Sequence, residues 1–181
     1  MKRNMKKKLF SEVPELRGST LLLRGLTQAD AEGLREQVCS DRVYRYLPTF
    51  LFERKYPDVS EVIRRLYDEG FAESIILGVF RDGAFCGLAE MYGFKDPIHK
   101  VSVGYRLQER CWGRGIASEA LGMMIDYLYG ETDIEIITAS TMVENLASAR
   151  VLTKNGFSLV VRGAEEDWGY PQPTAADKWI R

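Results

Sequence analysis

The sequence predicts an α/β protein built on one mixed β-sheet, and three observations carry this. An antiparallel meander of three strands sits mid-chain, its first two strands joined by the two-residue turn Asp82-Gly83. After it, helices alternate with strands, which implies parallel neighbours and right-handed crossovers. The chain has 181 residues, 45 % apolar and 28 % charged, enough for one ordinary soluble domain but not for two full ones. A meander ahead of the crossovers argues against a wholly parallel, doubly wound sheet.

Residues Thr20 to Arg24 read as a first strand. Asp30 to Val38 follows as a helix with Ala31, Leu34 and Val38 in register, and Thr27 can cap it. Tyr44 to Tyr56, rich in aromatics and broken by Pro48, reads as loop or broken helix. A second helix follows Asp58, with Val59, Val62, Ile63 and Leu66 on one face. The meander comprises Ile75 to Phe80, Ala84 to Met91 and Val101 to Leu107, with Asp96-Pro97 interrupting its second connection. In the third strand Val101, Val103, Tyr105 and Leu107 share a face. Ile116 to Tyr129 is helical through Ile116, Ala120, Leu121, Met124 and Leu128. Ile134 to Thr141 is a strand. Asn145 to Asn155 is a helix that Gly156 is placed to end. Phe157 to Val161 and Lys178 to Ile180 are the last strands. No repeat or linker divides the chain, so residues 1–181 read as one domain, with residues 1–18 a flexible basic tail and lead-in.

Composition excludes several classes. Lys and Arg total 25 against 26 Asp and Glu, so the basic surplus of a duplex DNA binder is missing. One histidine, His99, and three scattered cysteines (Cys39, Cys86, Cys111) build neither a zinc finger nor a His-rich metal site. A Ser-His-Asp triad would depend on His99, and no Gly-x-Ser-x-Gly turn occurs. No apolar run has the length of a signal peptide core or a membrane span. With reduced cysteines, that places the expected location in the cytoplasm. The Lys2–Lys8 cluster reads as a solvated tail, with a contact to RNA or ribosomes as the alternative.

The informative segment runs from Tyr105 to Ala120. A strand enters a loop containing Gly113 and Gly115, and the loop opens a helix. Helix N-termini present unpaired N–H groups and the positive end of the dipole, and glycines let backbone approach an anion closely. The amides of about Gly113 to Ala117 could cradle a pyrophosphate, with Arg110 and Arg114 adding charge. A dinucleotide fingerprint fails at Ser118, where a third glycine belongs, and no Gly-Lys-Ser/Thr triphosphate loop exists. Arg110-Cys-Trp-Gly113-Arg-Gly115 fits Arg/Gln-x-x-Gly-x-Gly/Ala at each fixed position.

With its context, that motif carries a resemblance. The context is Leu21 to Arg24 followed by Thr27, Asp30 and Ala31, then Ser40-Asp41, Val43 and Arg45 to Pro48. It continues with Gly104-Tyr105, Trp112 to Ala120, Asn145-x-x-Ser148-x-x-Val151, and Asn155-Gly-Phe157. The tail adds Asp167-Trp168-Gly-Tyr170 and Asp177-Lys-Trp179. From Thr20 to Ile180 the sequence resembles the GNAT superfamily of acetyl-CoA-dependent N-acetyltransferases, and within it the branch acting on N-terminal amines of ribosomal proteins. The resemblance implies a strongly twisted sheet, flanked by helices, whose two middle strands splay apart to admit acetyl-CoA. It implies that the strand ending at Leu107 pairs with the pantetheine arm, beside Tyr105, and that Arg110, Gly113, Arg114, Gly115, Ile116 and Ala117 take the pyrophosphate. Asn145 would bond the pantetheine arm or cap its helix. No metal is implied.

The implied reaction needs a neutral amine, a polarised thioester and a protonated leaving thiolate. Glu90, a charge in the apolar run Gly-Leu-Ala-Glu-Met, is the first candidate base; its alternative is a carboxylate on an exposed face or paired with an arginine. Glu53 and Glu73 are secondary candidates. Many relatives protonate the thiolate with a tyrosine where this chain has Leu152; the resemblance assigns that task to Ser148, which otherwise packs near a helix start. Tyr105 reads as core or as a flank of the acetyl group, and Trp112 as packing the loop on the sheet. Cys111 beside the loop leaves an acetyl-cysteine route formally open. The Tyr44–Tyr56 aromatics line the acceptor site or cover the sheet edge. The acceptor expected first is a peptide or protein N-terminus. The alternatives are a small amine (an antibiotic, polyamine or amino acid), a non-catalytic acyl-CoA-binding module, and an RNA-binding protein using the tail. A C-terminal edge strand could pair two copies into a homodimer.

Overall fold

A computed structural model describes residues 8–181. The strands are β1 (Leu16–Arg17), β2 (Leu21–Arg24), β3 (Ser74–Arg81), β4 (Ala84–Lys95), β5 (Lys100–Leu107), β6 (Ile136–Met142), β7 (Ser158–Glu166) and β8 (Thr174–Ile180). The helices are α1 (Ala31–Val38), α2 (Asp41–Tyr44), α3 (Val59–Leu66), α4 (Ile116–Glu131) and α5 (Leu146–Lys154). The eight strands form one sheet in the order β1-β2-β3-β4-β5-β6-β8-β7. The expected mixed α/β sheet is what forms.

Side-chain alternation puts a core on each face. Leu23, Leu77, Met91 and Val103 point to one side and pack with Leu121, Met124 and Leu128 of α4. Burying each of these contributes about 1.5–3 kcal/mol. Ile76, Phe80 and Leu88 point to the other side, under Leu34 of α1 and Val62, Ile63 and Leu66 of α3. The helix starts follow local chemistry. Thr27 and Asp30 form a capping box, and the Asp58 carboxylate accepts from the Ser60 N–H at 2.9 Å. No helix among the described residues is long and apolar enough to cross a membrane.

Among the described residues the only parallel pairing is β5 with β6, and it covers just Lys100–Ser102 against Ile136–Thr138. Beyond Ser102 the two strands part, leaving Val103–Leu107 without a strand neighbour on that side among the described residues. This is the splay expected at the sheet centre, and it opens the site.

Three expectations change, and the broken-helix reading of Tyr44–Tyr56 stands. Residues 9–18 are not a loose lead-in: Leu9 is buried, Phe10 meets Phe71 and Phe94 edge-on at 5.8 and 5.5 Å, and β1 pairs with β2. The lysine cluster up to residue 7 lies outside the described residues. The Tyr44–Tyr56 region holds the end of α2, capped by Ser40, and a 3-10 turn at Phe52–Arg54. The last strands are longer than expected: β7, at the sheet edge, is exposed on both faces and loses its alternation, and β8 begins at Thr174, ahead of the expected Lys178. β7 is also not beside β6. β8 lies between them, antiparallel to both, so that Ala176 and Trp179 are buried while β7 forms the outer edge.

Candidate active site

The splay of β5 and β6 leads into a cavity of about 1390 Å³ lined by residues of both sheet faces, Tyr105 and Leu107 on one and Glu90 and Ser102 on the other. On the α4 side, β5 runs into a 3-10 turn, the glycine loop and α4. Gly113 and Gly115 adopt φ +68° and +77°, left-handed values that favour glycine, and an added Cβ at either would meet nothing within 4 Å. They therefore border open space, not packed protein. The first-turn amides of α4, from Ile116 and Ala117, have no helical acceptors. Gly113, Gly115, Ile116 and Ala117 all line the cavity, as do Tyr105, Leu107, Asn145 and Ser148. The cradle fits a diphosphate held by backbone.

Two arginines expected there lie elsewhere. Arg110 donates to Glu36 at 3.0 Å and to the Phe85 carbonyl at 3.1 Å, so its charge is spent on α1. Arg114 is exposed and does not border the cavity. Trp112 is not packed on the sheet. It is 43 % exposed, its Nε1–H donates to the Leu107 carbonyl at 2.8 Å, and Arg42 lies over its ring. At the end of the strand expected to pair with pantetheine, the Leu107 carbonyl thus already accepts one hydrogen bond. Cys111 is buried at the cavity wall, while burial and the neighbouring Cys111 thiol push the Cys86 thiol up to about 11.

Tyr105 and Ser148 meet where the strands part. Their hydroxyls are 2.9 Å apart, and Tyr105 also donates to the Ser148 carbonyl at 3.3 Å. Burial pushes the phenol up to about 12, against a smaller opposite effect of the Ser148 hydrogen bond, so it stays protonated near neutrality. Asn145 caps α5, its side chain accepting from the Ser148 N–H at 3.2 Å. Leu152 is buried against the same wall and offers no hydroxyl.

On the opposite face, Glu90 stands across from Gly104 in the β4–β5 ladder and lines the cavity at 8 % exposure. One of its oxygens accepts from Arg106 at 2.6 Å. The same guanidinium clasps Glu53, 2 % exposed, with one bond of 2.6 Å and a second from Nε; Tyr44 donates to Glu53 at 2.9 Å. Burial works against the Arg106 charge, but Glu53 and Glu90 outweigh it and hold the guanidinium charged. Glu53 does not border the cavity; Glu73 does, from an exposed rim. The α2–α3 and β7–β8 connections close this side together. Thr49 N–H donates to the Trp168 carbonyl at 2.9 Å and the Tyr170 hydroxyl to the Leu47 carbonyl at 2.7 Å. Sequence reading missed Arg106. Its signal was a lone guanidinium on the same strand face as Gly104, opposite a strand carrying the lone carboxylate Glu90.

A model of the acetyltransferase (GNAT) domain matches residues 20–158. A protein named probable N-acetyltransferase YjcK, from Bacillus subtilis, is 30 % identical over 155 residues, 78 % of this chain and 82 % of that one. Among solved structures, an acetyltransferase from Salmonella typhimurium that modifies the N-terminal serine of ribosomal protein L7/L12 superposes with a TM-score of 0.77. It is 18 % identical and covers 93 % of this chain and 98 % of its own. Spermidine N-acetyltransferase from Vibrio cholerae, with CoA and spermine bound, gives 0.74 at 17 % identity over 91 % and 96 %.

Proposed function

Because this chain belongs to the GNAT acetyltransferase family and is an acetyl-CoA-dependent N-acetyltransferase, we propose that its acceptor is the α-amine of a peptide or protein N-terminus. The observation carrying this is the charge of the acceptor side. Of the charged groups lining it, Arg42 is paired with Glu109, Arg106 is shared between Glu53 and Glu90, and Lys178 engages Glu166, which leaves Arg45, Lys55 and Lys100 against Glu73 and Asp167 without an ion pair among the described residues. A polyamine, which needs several unpaired carboxylates, would find two there beside three cations. An α-amine carries one charge and sheds it near pH 7.7–8.0, about two and a half units below a lysine side-chain amine.

Acetyl-CoA supplies an acetyl thioester. In this reading Glu90, through water, accepts the proton of the incoming amine from the acceptor side. The Tyr105–Ser148 hydroxyl pair meets the sulfur from the α5 side, Ser148 donating as negative charge builds there while Tyr105 keeps its rotamer fixed. The loop amides of Gly113 to Ala117 hold the diphosphate and so set how deep the thioester reaches. Binding these groups in one geometry converts encounter into an intramolecular step.

The reading is tested by thiol release with acetyl-CoA against N-terminally free peptides, their N-methylated or acetyl-blocked versions, spermidine and aminoglycosides. Free peptides alone should release thiol. Acetyl-CoA at a hundred times its Kd should add about 2.7 kcal/mol, raising Tm by roughly 5–10 °C for a chain of this size. A thermal scan showing no shift at millimolar acetyl-CoA counts against the assigned cradle.

Gly115→Val tests the cradle directly. Left-handed backbone costs a β-branched residue about 1–2 kcal/mol, so the variant should still fold. Its side chain fills the space the diphosphate needs, so acetyl-CoA affinity should fall about 100-fold, roughly 2.7 kcal/mol. Calorimetric titration of the folded variant reads the difference, and unchanged affinity would make the glycine a helix start only.

A further inference from the structure

The acceptor face carries a feature the proposed reaction does not use. On β5, Lys100 and Ser102 share the face of Gly104 and line the cavity, as do Thr138 and Ser140 of β6 and Lys178 of β8. The three strands put these side chains in adjacent rows. Ser102 faces Thr138, and Ser140 faces Lys178. The Ser102 and Thr138 hydroxyls are 2.9 Å apart, the Lys100 ammonium donates to Ser102 at 3.3 Å, and Lys178 donates to Ser140 at 3.2 Å. The cluster sits where β5 and β6 begin to part, two residues along β5 from Gly104 and its partner Glu90.

Resting on the peptide reading above, we infer that Lys100, with Ser102, Thr138, Ser140 and Lys178, forms a subsite for an acceptor carboxylate, the acidic side chain at the third position of a peptide whose α-amine sits at Glu90. The charges support this. Lys178 is neutralised by Glu166, whereas no carboxylate among the described residues lies within ion-pair reach of Lys100. Burial, Lys95 and Lys178 all disfavour the Lys100 charge. A half-buried cation with repelling neighbours and hydroxyls aligned beside it gains by taking an anion. The distance sets the position. Two residues of β5 span about 7 Å, the spacing between first and third residues of an extended peptide, whose side chains share one face. A lysine-rich or polyamine acceptor would place its second charge against this row.

The test uses amidated hexapeptides with a free α-amine, so that the side chain is the sole carboxylate. Asp is compared with Asn and Lys at positions two, three and six, by steady-state thiol release. Asp at position three should lower KM about tenfold relative to Asn, with little change in kcat, and Lys should raise it. Asp at positions two and six should have little effect. The advantage should shrink between 20 mM and 500 mM salt. Lys100→Gln should bring the Asp peptide level with the Asn peptide, and Lys100→Glu should invert the order in favour of Lys. The acetyl-CoA thermal shift confirms that these variants fold. Peptides acetylated with KM values independent of side-chain charge would overturn the subsite alone. Release with polyamines but with no peptide would overturn the peptide reading and the subsite with it.

Discussion

Arg106→Met is expected to lower stability by about 3–5 kcal/mol, a Tm loss of roughly 6–20 °C for a chain of this length. The reason is the two carboxylates it leaves behind. Glu53 and Glu90 are 2 % and 8 % exposed, and both rely on this guanidinium. Methionine fills much of the arginine volume, so a packing void is not the main cost; unpaired buried charge is. An exposed pair such as Arg35–Glu32 is worth at most about 1 kcal/mol, and an exposed arginine such as Arg64 close to nothing. Adding Glu53→Gln to Arg106→Met should recover part of the loss, since one stranded charge is removed and the two sites share a partner. Lowering the pH until the stranded carboxylates protonate should narrow the gap to the parent protein. Calorimetry with Arg64→Met as reference decides it. If Arg106→Met melts no lower than Arg64→Met, the triad does not hold this part of the fold together.

That triad also marks the limit of what could be read from sequence. The strand of Val101, Val103, Tyr105 and Leu107, the Asp82-Gly83 turn, and the glycine loop ahead of Ile116 were legible because each depends on neighbours in sequence. So was Ser148 near a capped helix start, since Asn145 and Ser148 are three residues apart. Glu53, Glu90 and Arg106 are brought together by pairing across β4 and β5 and by a loop 37 residues before Glu90, and no local spacing encodes that. Arg110 was misplaced for the same reason. Its charge suited the loop, but Glu36 and the Phe85 carbonyl, distant in sequence, are its partners. The order β6-β8-β7 depends on which hairpin strand buries Trp179, a choice decided by tertiary packing and not by the strand's own period.

Glu90→Gln is expected to lower turnover about 10²–10⁴-fold near neutral pH while leaving the acetyl-CoA thermal shift in place. Glutamine keeps an oxygen that can accept from Arg106, so the loss reports the missing proton acceptor more than a broken pair. The pH dependence separates the roles. A peptide α-amine is largely protonated at pH 7 and largely neutral by pH 9, given a pKa of about 7.7–8.0. The Glu90→Gln deficit should therefore shrink as the pH rises through that range, because the amine then arrives without a proton to lose. Ser148→Ala should lose less, about 10–100-fold, the worth of one hydrogen bond to a charged sulfur. Its deficit should hold at high pH, since it concerns the leaving thiolate and not the amine. Tyr105→Phe should mimic it more weakly, because the Tyr105 hydroxyl reaches Ser148 at 2.9 Å and acts through it. Parallel pH–rate profiles of the three variants, from pH 6 to 9.5, distinguish these cases. Full activity of Glu90→Gln across that range would remove Glu90 as proton acceptor and leave Glu73, at the exposed rim, as the remaining sequence-read candidate that borders the cavity. A Ser148→Ala deficit that vanished at high pH would place that hydroxyl on the amine side of the reaction instead.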